Sequence, residues 1–141
     1  MGISNGSAEW SGGIKTGKGV MKPAHAPEAN FSLASRFEGA PSSSPEELIG
    51  AALSGCFSMA LTMSLEMAGL KPESVHSSAQ VHLDKDGQGF SITTITLTTE
   101  AKVAGLDDAK FQEIAEQTKK GCPVSKALAG TKITLQAKLA G

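Results

Sequence analysis

The apolar positions of the chain fall into one long block and several alternating runs. The block lies between Ser44 and Gly69, and from Leu48 to Leu65 it contains no charged residue. This predicts one long helix that is apolar nearly all round. Ser44 suits the N-cap and Pro45 the first helical position, while Glu47 stands where it can close a capping box. Glu46, beside it, has no such duty. Gly69 suits the C′ position, and Pro72 prevents any continuation. About 24 residues at ~1.5 Å each make a rod of roughly 36 Å. The length is near the lower limit for a membrane span. However, Gly50, Ser54, Gly55, Ser58, Thr62 and Ser64 dilute the apolarity and no basic flank follows, so a soluble helix is expected. Such a helix must be covered on every side. One small sheet cannot do this, so a second copy of the chain is expected to complete the burial. Gly50, Ala51, Ala52, Ser54, Gly55 and Ala60 would let another helix approach closely.

On either side the rhythm is that of strands. Residues 8–14 and 18–22 read as a hairpin around Lys15-Thr16-Gly17, and 23–30 as a loop. Phe31, Leu33, Ser35 and Phe37 alternate with polar or small residues, as in a strand with Arg36 on its solvent side. Val75, Ala79, Val81 and Leu83 share a parity, which leaves His82 on the outer face. A turn at 85–89 leads into 90–103, where the apolar parity changes and a bulge is expected near Thr93 or Thr94. Asp107 or Asp108 opens a helix with a stripe of Phe111, Ile114, Ala115 and Thr118, ended by Gly121 after Lys119 and Lys120. Cys122 caps a short helix begun by Pro123, and 131–139 closes the chain as a strand. The order gives an α+β fold with antiparallel sheets around a central helix. It reads as a single domain with a three-strand lobe over 1–43, the helix over 44–69 and a strand-helix-strand lobe over 70–141.

Composition narrows the function. The 141 residues carry a net charge of −1 and no tyrosine, and no basic patch with interleaved aromatics suggests nucleic acid. The first ten residues show neither a basic start nor an apolar run, so a cytoplasmic protein without a secretory signal is expected. The myristoylation pattern fails at Gly6. The glycines are scattered rather than gathered into a phosphate-binding loop, and no nucleophile elbow occurs, which argues against NAD, flavin and ATP enzymes. His25, His76 and His82 stand apart from the cysteines, so no zinc site is expected.

Four residues have no convincing structural duty: Arg36, the only arginine in the chain, with Glu46, Cys56 and Cys122. In a reducing compartment a permanent disulfide is uncommon, and two unrelated buried thiols would be the ordinary reading of such a pair. A thiol peroxidase needs this set, however. It uses a thiolate nucleophile, a cation that lowers the thiol pKa, a carboxylate that fixes the cation, and a second thiol that traps the sulfenic acid. Glu46 lies about 15 Å from Cys56 along the helix. If they cooperate, a symmetry-related chain must bring them together. The competing class is a non-catalytic stress protein that binds a lipid-like molecule in an apolar dimer groove.

The runs Ser44-Pro45-Glu46-Glu47-Leu48-Ile49-Gly50-Ala51-Ala52, Cys56-Phe57-Ser58-Met59-Ala60 and Gly121-Cys122-Pro123-Val124-Ser125 resemble the OsmC family, related to the Ohr organic hydroperoxide resistance proteins. Trp10 with Gly12, and Leu83-Asp84-Lys85, extend the likeness over nearly the whole chain. Arg36 beside Phe37-Glu38-Gly39 is similar to OsmC rather than Ohr. The resemblance implies a cysteine peroxidase for organic hydroperoxides, without a cofactor, acting as an intertwined homodimer. It implies that Cys56 attacks and Cys122 closes a disulfide on it. Arg36 and Glu46 would come from the partner, and an external dithiol of lipoyl type would reset the pair. Physical chemistry alone instead nominates Cys122 as the low-pKa thiol, since it begins a helix near Lys119, Lys120 and Lys126, whereas Cys56 is in an apolar mid-helix setting.

Overall fold

The computed structural model describes residues 2–140, and the chain falls into two compact units that divide between Leu48 and Ile49. In the first, β1 (Gly6–Ser11), β2 (Lys18–Pro23) and β3 (Ala29–Phe31) form an antiparallel sheet in that order. The hairpin is present, but β1 stops at Ser11 because Gly12 turns the chain with φ 91°. Gly19 pairs with Trp10 on one side and Phe31 on the other. Lacking a side chain, it lets the two rings meet across it, with centroids 5.6 Å apart.

The strand expected through Phe37 ends at Phe31. Leu33–Phe37 is instead a short helix, α1. Ser32 and Ser35 cap it reciprocally: Ser32 Oγ accepts from the Ser35 N–H at 3.1 Å, and Ser35 Oγ accepts from the Ser32 N–H at 2.8 Å. A short alternation fits either structure, and the local hydrogen bonds decide it. Arg36 therefore stands in the last turn of a helix, not on the face of a strand.

Helix α2 runs over Pro45–Met67. Ser44 Oγ accepts from the Glu47 N–H at 3.1 Å, as the cap requires. The Glu47 carboxylate, however, accepts from the Ser43 hydroxyl at 3.0 Å. The stop is as expected, with Gly69 at φ 82° and the Leu70 N–H donating to the Leu65 carbonyl. By length and composition α2 could cross a membrane. Its stripe of Leu53, Phe57, Leu61 and Leu65 is nevertheless fully buried in the core of the second unit, while Met59, Met63 and Met67 on other faces are 78%, 61% and 82% exposed.

That core is completed by a hairpin of β4 (Pro72–Asp86) and β5 (Gly89–Val103), by α3 (Asp108–Gly121) and α4 (Pro123–Ala127), and by β6 (Lys132–Ala140). His82 pairs with Thr94 and Leu83 with Ile92, which leaves Thr93 as the bulged residue. Beyond it Ile95, Leu97, Ala101 and Val103 face inward with Phe111, Ile114 and Ala115 of α3. The second sheet is not wholly antiparallel: β6 runs parallel to β5, with Ile95 opposite Ile133. Residues 104–131 form a helical crossover, which returns the chain in its original direction. Helix and sheet come close where Gly50 meets β4, since a Cβ there would lie 3.3 Å from Val81 Cγ2. Polar groups in this layer are paired. Ser58 donates to Ser77 at 2.7 Å, Ser77 shares a bond with Thr99 at 2.9 Å, and Thr99 donates to the His76 carbonyl.

Candidate active site

The four residues singled out by sequence form two pairs, one in each unit. In the first, the capping of α1 fixes Arg36 and the start of α2 fixes Glu46. The guanidinium meets the carboxylate with two parallel bonds, Nε to Oε1 at 3.0 Å and Nη2 to Oε2 at 2.9 Å. Such a fork sets orientation as well as distance. Glu46 is buried, with 9% of its side chain exposed against 39% for Arg36. Among the described residues Nη1 has no hydrogen-bond partner. The Phe37 ring lies 5.5 Å from the guanidinium carbon.

In the second unit Cys56 is mid-way along α2, and Cys122 is at the joint where α3 ends and α4 begins. Both are free thiols, hydrogen-bonded sulfur to sulfur at 2.9 Å. A disulfide spans ~2.05 Å, so closure needs a movement of only about 1 Å. Cys56 is half-buried, whereas Cys122 is 1% exposed. Burial pushes the Cys56 thiol up from its ordinary value, and the bond to Cys122 adds to this. Burial raises Cys122 as well. There, however, the bond with Cys56, the backbone N–H groups of Ser125 and Val124, and the Ser125 hydroxyl together outweigh it and bring the thiol down.

This direction agrees with the sequence argument for Cys122, and so does one of its two causes, since the N–H groups of Val124 and Ser125 belong to the first turn of α4; lysine charge, the other cause, is not among the groups that lower the thiol. Lys119 is engaged with Glu116 at 3.0 Å. Ser125 was not among the sequence candidates, although its place three residues after a cap residue could have drawn attention to it. No group of three His, Cys, Asp or Glu side chains among the described residues is placed to hold a metal ion.

The family model of OsmC-like proteins matches residues 38–137. "Peroxiredoxin OsmC" of Escherichia coli (strain K12) and that of Shigella flexneri are each 44% identical over 136 residues, covering 95% of this chain and 94% of theirs. Among solved structures, the organic hydroperoxide resistance protein OsmC of Legionella pneumophila superposes with a TM-score of 0.73 at 18% identity, over 98% of this chain and 99% of that one. The organic hydroperoxide resistance protein OhrB of Bacillus subtilis does so with 0.71 at 24% identity, over 95% and 98%. At these identities the two structures bear on the fold alone. The family match and the identity to the curated relatives establish that this chain belongs to the OsmC-like family and is a cysteine-based peroxidase.

Proposed function

We propose that the protein reduces organic hydroperoxides to alcohols by a two-cysteine cycle. The Cys56 thiolate attacks the distal peroxide oxygen, the O–O bond breaks, and the alkoxide leaves to be protonated as the alcohol. Cys122 then attacks the Cys56 sulfenic acid, the S–O bond breaks, and water departs as the disulfide forms. An external dithiol, of lipoyl type, exchanges with that disulfide and restores both thiols. The observation that carries this reading is the pair of free thiols with sulfurs 2.9 Å apart. Cys56 is the more accessible sulfur, as a residue that must meet a substrate should be.

Cys56 then needs a cation to offset the burial that raises it. Glu46 precedes it by ten positions on α2, about 15 Å along the axis, so that cation is assigned to the partner subunit's Arg36, held by the partner subunit's Glu46. Two features support a homodimer. The Met59, Met63 and Met67 surface of α2 is uncovered, and the first unit has no buried apolar side chain among its described residues. A segment of that size cannot readily supply a core of its own.

The test follows cumene hydroperoxide with a dithiol reductant. Cys122→Ser should consume about one equivalent and leave a sulfenic acid on Cys56 that a dimedone-type probe traps. Cys56→Ser should consume almost none. A normal first turnover by the Cys56→Ser protein, with the probe on Cys122, would exchange the two roles.

A further inference from the structure

Ser125 is buried, at 7% exposed, and its Oγ has no hydrogen-bond partner of ordinary geometry. Such a group costs free energy, about 1–3 kcal/mol when it stays unsatisfied. The other polar side chains of the second unit's interior do find partners. Ser77 and Thr99 bond to one another, and Thr118 donates to the Ile114 carbonyl at 2.8 Å.

The reason for the orphan is visible in the backbone. Ser125 is three residues beyond the cap residue Cys122, the relation that Ser35 has to Ser32 at α1. At α1 the Ser35 hydroxyl accepts the Ser32 N–H. At Cys122 that N–H is already spent, because it closes α3 by donating to the Thr118 carbonyl at 2.9 Å. The capping role is thus closed to the Ser125 hydroxyl. The side chain across from it in the first turn of α4 is that of the cap residue Cys122, whose thiol the Ser125 hydroxyl helps to hold below its ordinary value. A neutral thiol is a weak acceptor and does not hold the hydroxyl in a well-formed bond, whereas a thiolate is a strong one.

We propose that Ser125 is a positioning residue for the peroxidase reaction, its hydroxyl donating to Cys122 Sγ when that sulfur is ionised and holding it aimed at Cys56. The proposal rests on the two-cysteine cycle for its role in turnover. It serves two steps. In resolution, the Cys122 thiolate forms the S–S bond, hydroxide leaves Cys56, and a solvent proton converts it to water; the serine keeps its own proton throughout. In reduction, an incoming dithiol that attacks the Cys56 sulfur expels Cys122 as the leaving thiolate, and a stabilised thiolate leaves faster.

The first experiment needs no peroxide. In the Cys56→Ser background only Cys122 titrates as a thiol, and its ionisation is followed by ultraviolet thiolate absorbance against pH. Adding Ser125→Ala should move that titration up by about one pH unit, equivalent to ~1.4 kcal/mol. Adding Ser125→Thr, which keeps the hydroxyl, should return it toward the parent. An unmoved titration in the Ser125→Ala protein, folded by circular dichroism, would overturn the proposal. So would equal shifts from Ala and Thr, because they would reveal packing rather than the hydroxyl. The second experiment follows the Cys56 sulfenic acid by stopped flow after one equivalent of cumene hydroperoxide. With both cysteines present, Ser125→Ala should lengthen its lifetime several-fold, and an unchanged lifetime would count against the proposal. A parent protein that never forms the disulfide would sink the two-cysteine cycle, while the titration would still decide whether Ser125 bonds to Cys122.

Discussion

Glu46 and Glu47 are neighbours with different duties. Glu47 is exposed and accepts from Ser43, whereas Glu46 is buried and grips Arg36 through two bonds. Glu47→Gln keeps an acceptor for Ser43 and should leave activity close to that of the parent. Glu46→Gln gives up the charge in the fork, and first-turnover peroxide consumption should fall ~10-fold, about 1.4 kcal/mol. The pH profile gives the sign. Burial already raises Cys56, so a loosened Arg36 offsets it less and the alkaline rise in rate should move to higher pH. Equal losses from both substitutions would show the assignment to be wrong. That the two glutamates differ is legible in the sequence, but the duty of Glu47 is not: its N–H is capped by Ser44 as the pattern predicts, while its carboxylate takes the Ser43 hydroxyl instead of closing the capping box. The orphaned hydroxyl of Ser125 is not legible either, since it arises only where the Thr118 carbonyl has already taken the Cys122 N–H.

Among the elements, those with several agreeing signals were readable in advance. α2 has a cap, a proline, a charge-free run and a terminal glycine, and α3 has Asp107 as its cap and a single buried stripe. α1 is not legible in the sequence, because five residues of alternating character carry no period long enough to separate strand from helix, and the serine pair that settles it acts through hydrogen bonds. The parallel direction of β6 departs from the antiparallel expectation for another reason: its residues alternate equally well in either sense, and only the crossover through α3 and α4 sets it. The turn joining β1 to β2 offers a sharp test. A Cβ at Gly17 would lie 2.4 Å from the Gly13 carbonyl oxygen and 2.5 Å from that of Ser11, whereas a Cβ at Gly13 meets nothing within 4 Å. Backbone atoms cannot step aside as a side chain can. Gly17→Ala should therefore cost about 1–3 kcal/mol, read by chemical denaturation, while Gly13→Ala should cost well under 1 kcal/mol. Similar midpoints for the two would contradict this account of the turn.

At the scale of the whole molecule, the uncovered methionines of α2 and the coreless first unit lead to one expectation. The folded species in solution should be a dimer at micromolar concentration, because exposed apolar surface of this kind is unusual on a monomer. Sedimentation equilibrium should give about twice the 14.4 kDa of the chain. A stable folded species of single mass would remove the partner subunit's Arg36 from the proposed mechanism.

The parallel pairing of β6 with β5 also affects how the chain comes into being. During synthesis β4 and β5 can zip together at once, but the far edge of β5 stays bare until residues 104–131 have emerged and β6 has followed them. That edge belongs to Ile92-Thr93-Thr94-Ile95-Thr96-Leu97-Thr98-Thr99, a segment rich in β-branched residues with no charge and no proline. Such a segment is a template for pairing with other chains. A nascent chain stalled before Lys132 should therefore aggregate through β5, and a version truncated at Thr131 should be recovered mainly from the insoluble fraction. β6 is then a cover for a sticky edge as well as a third strand.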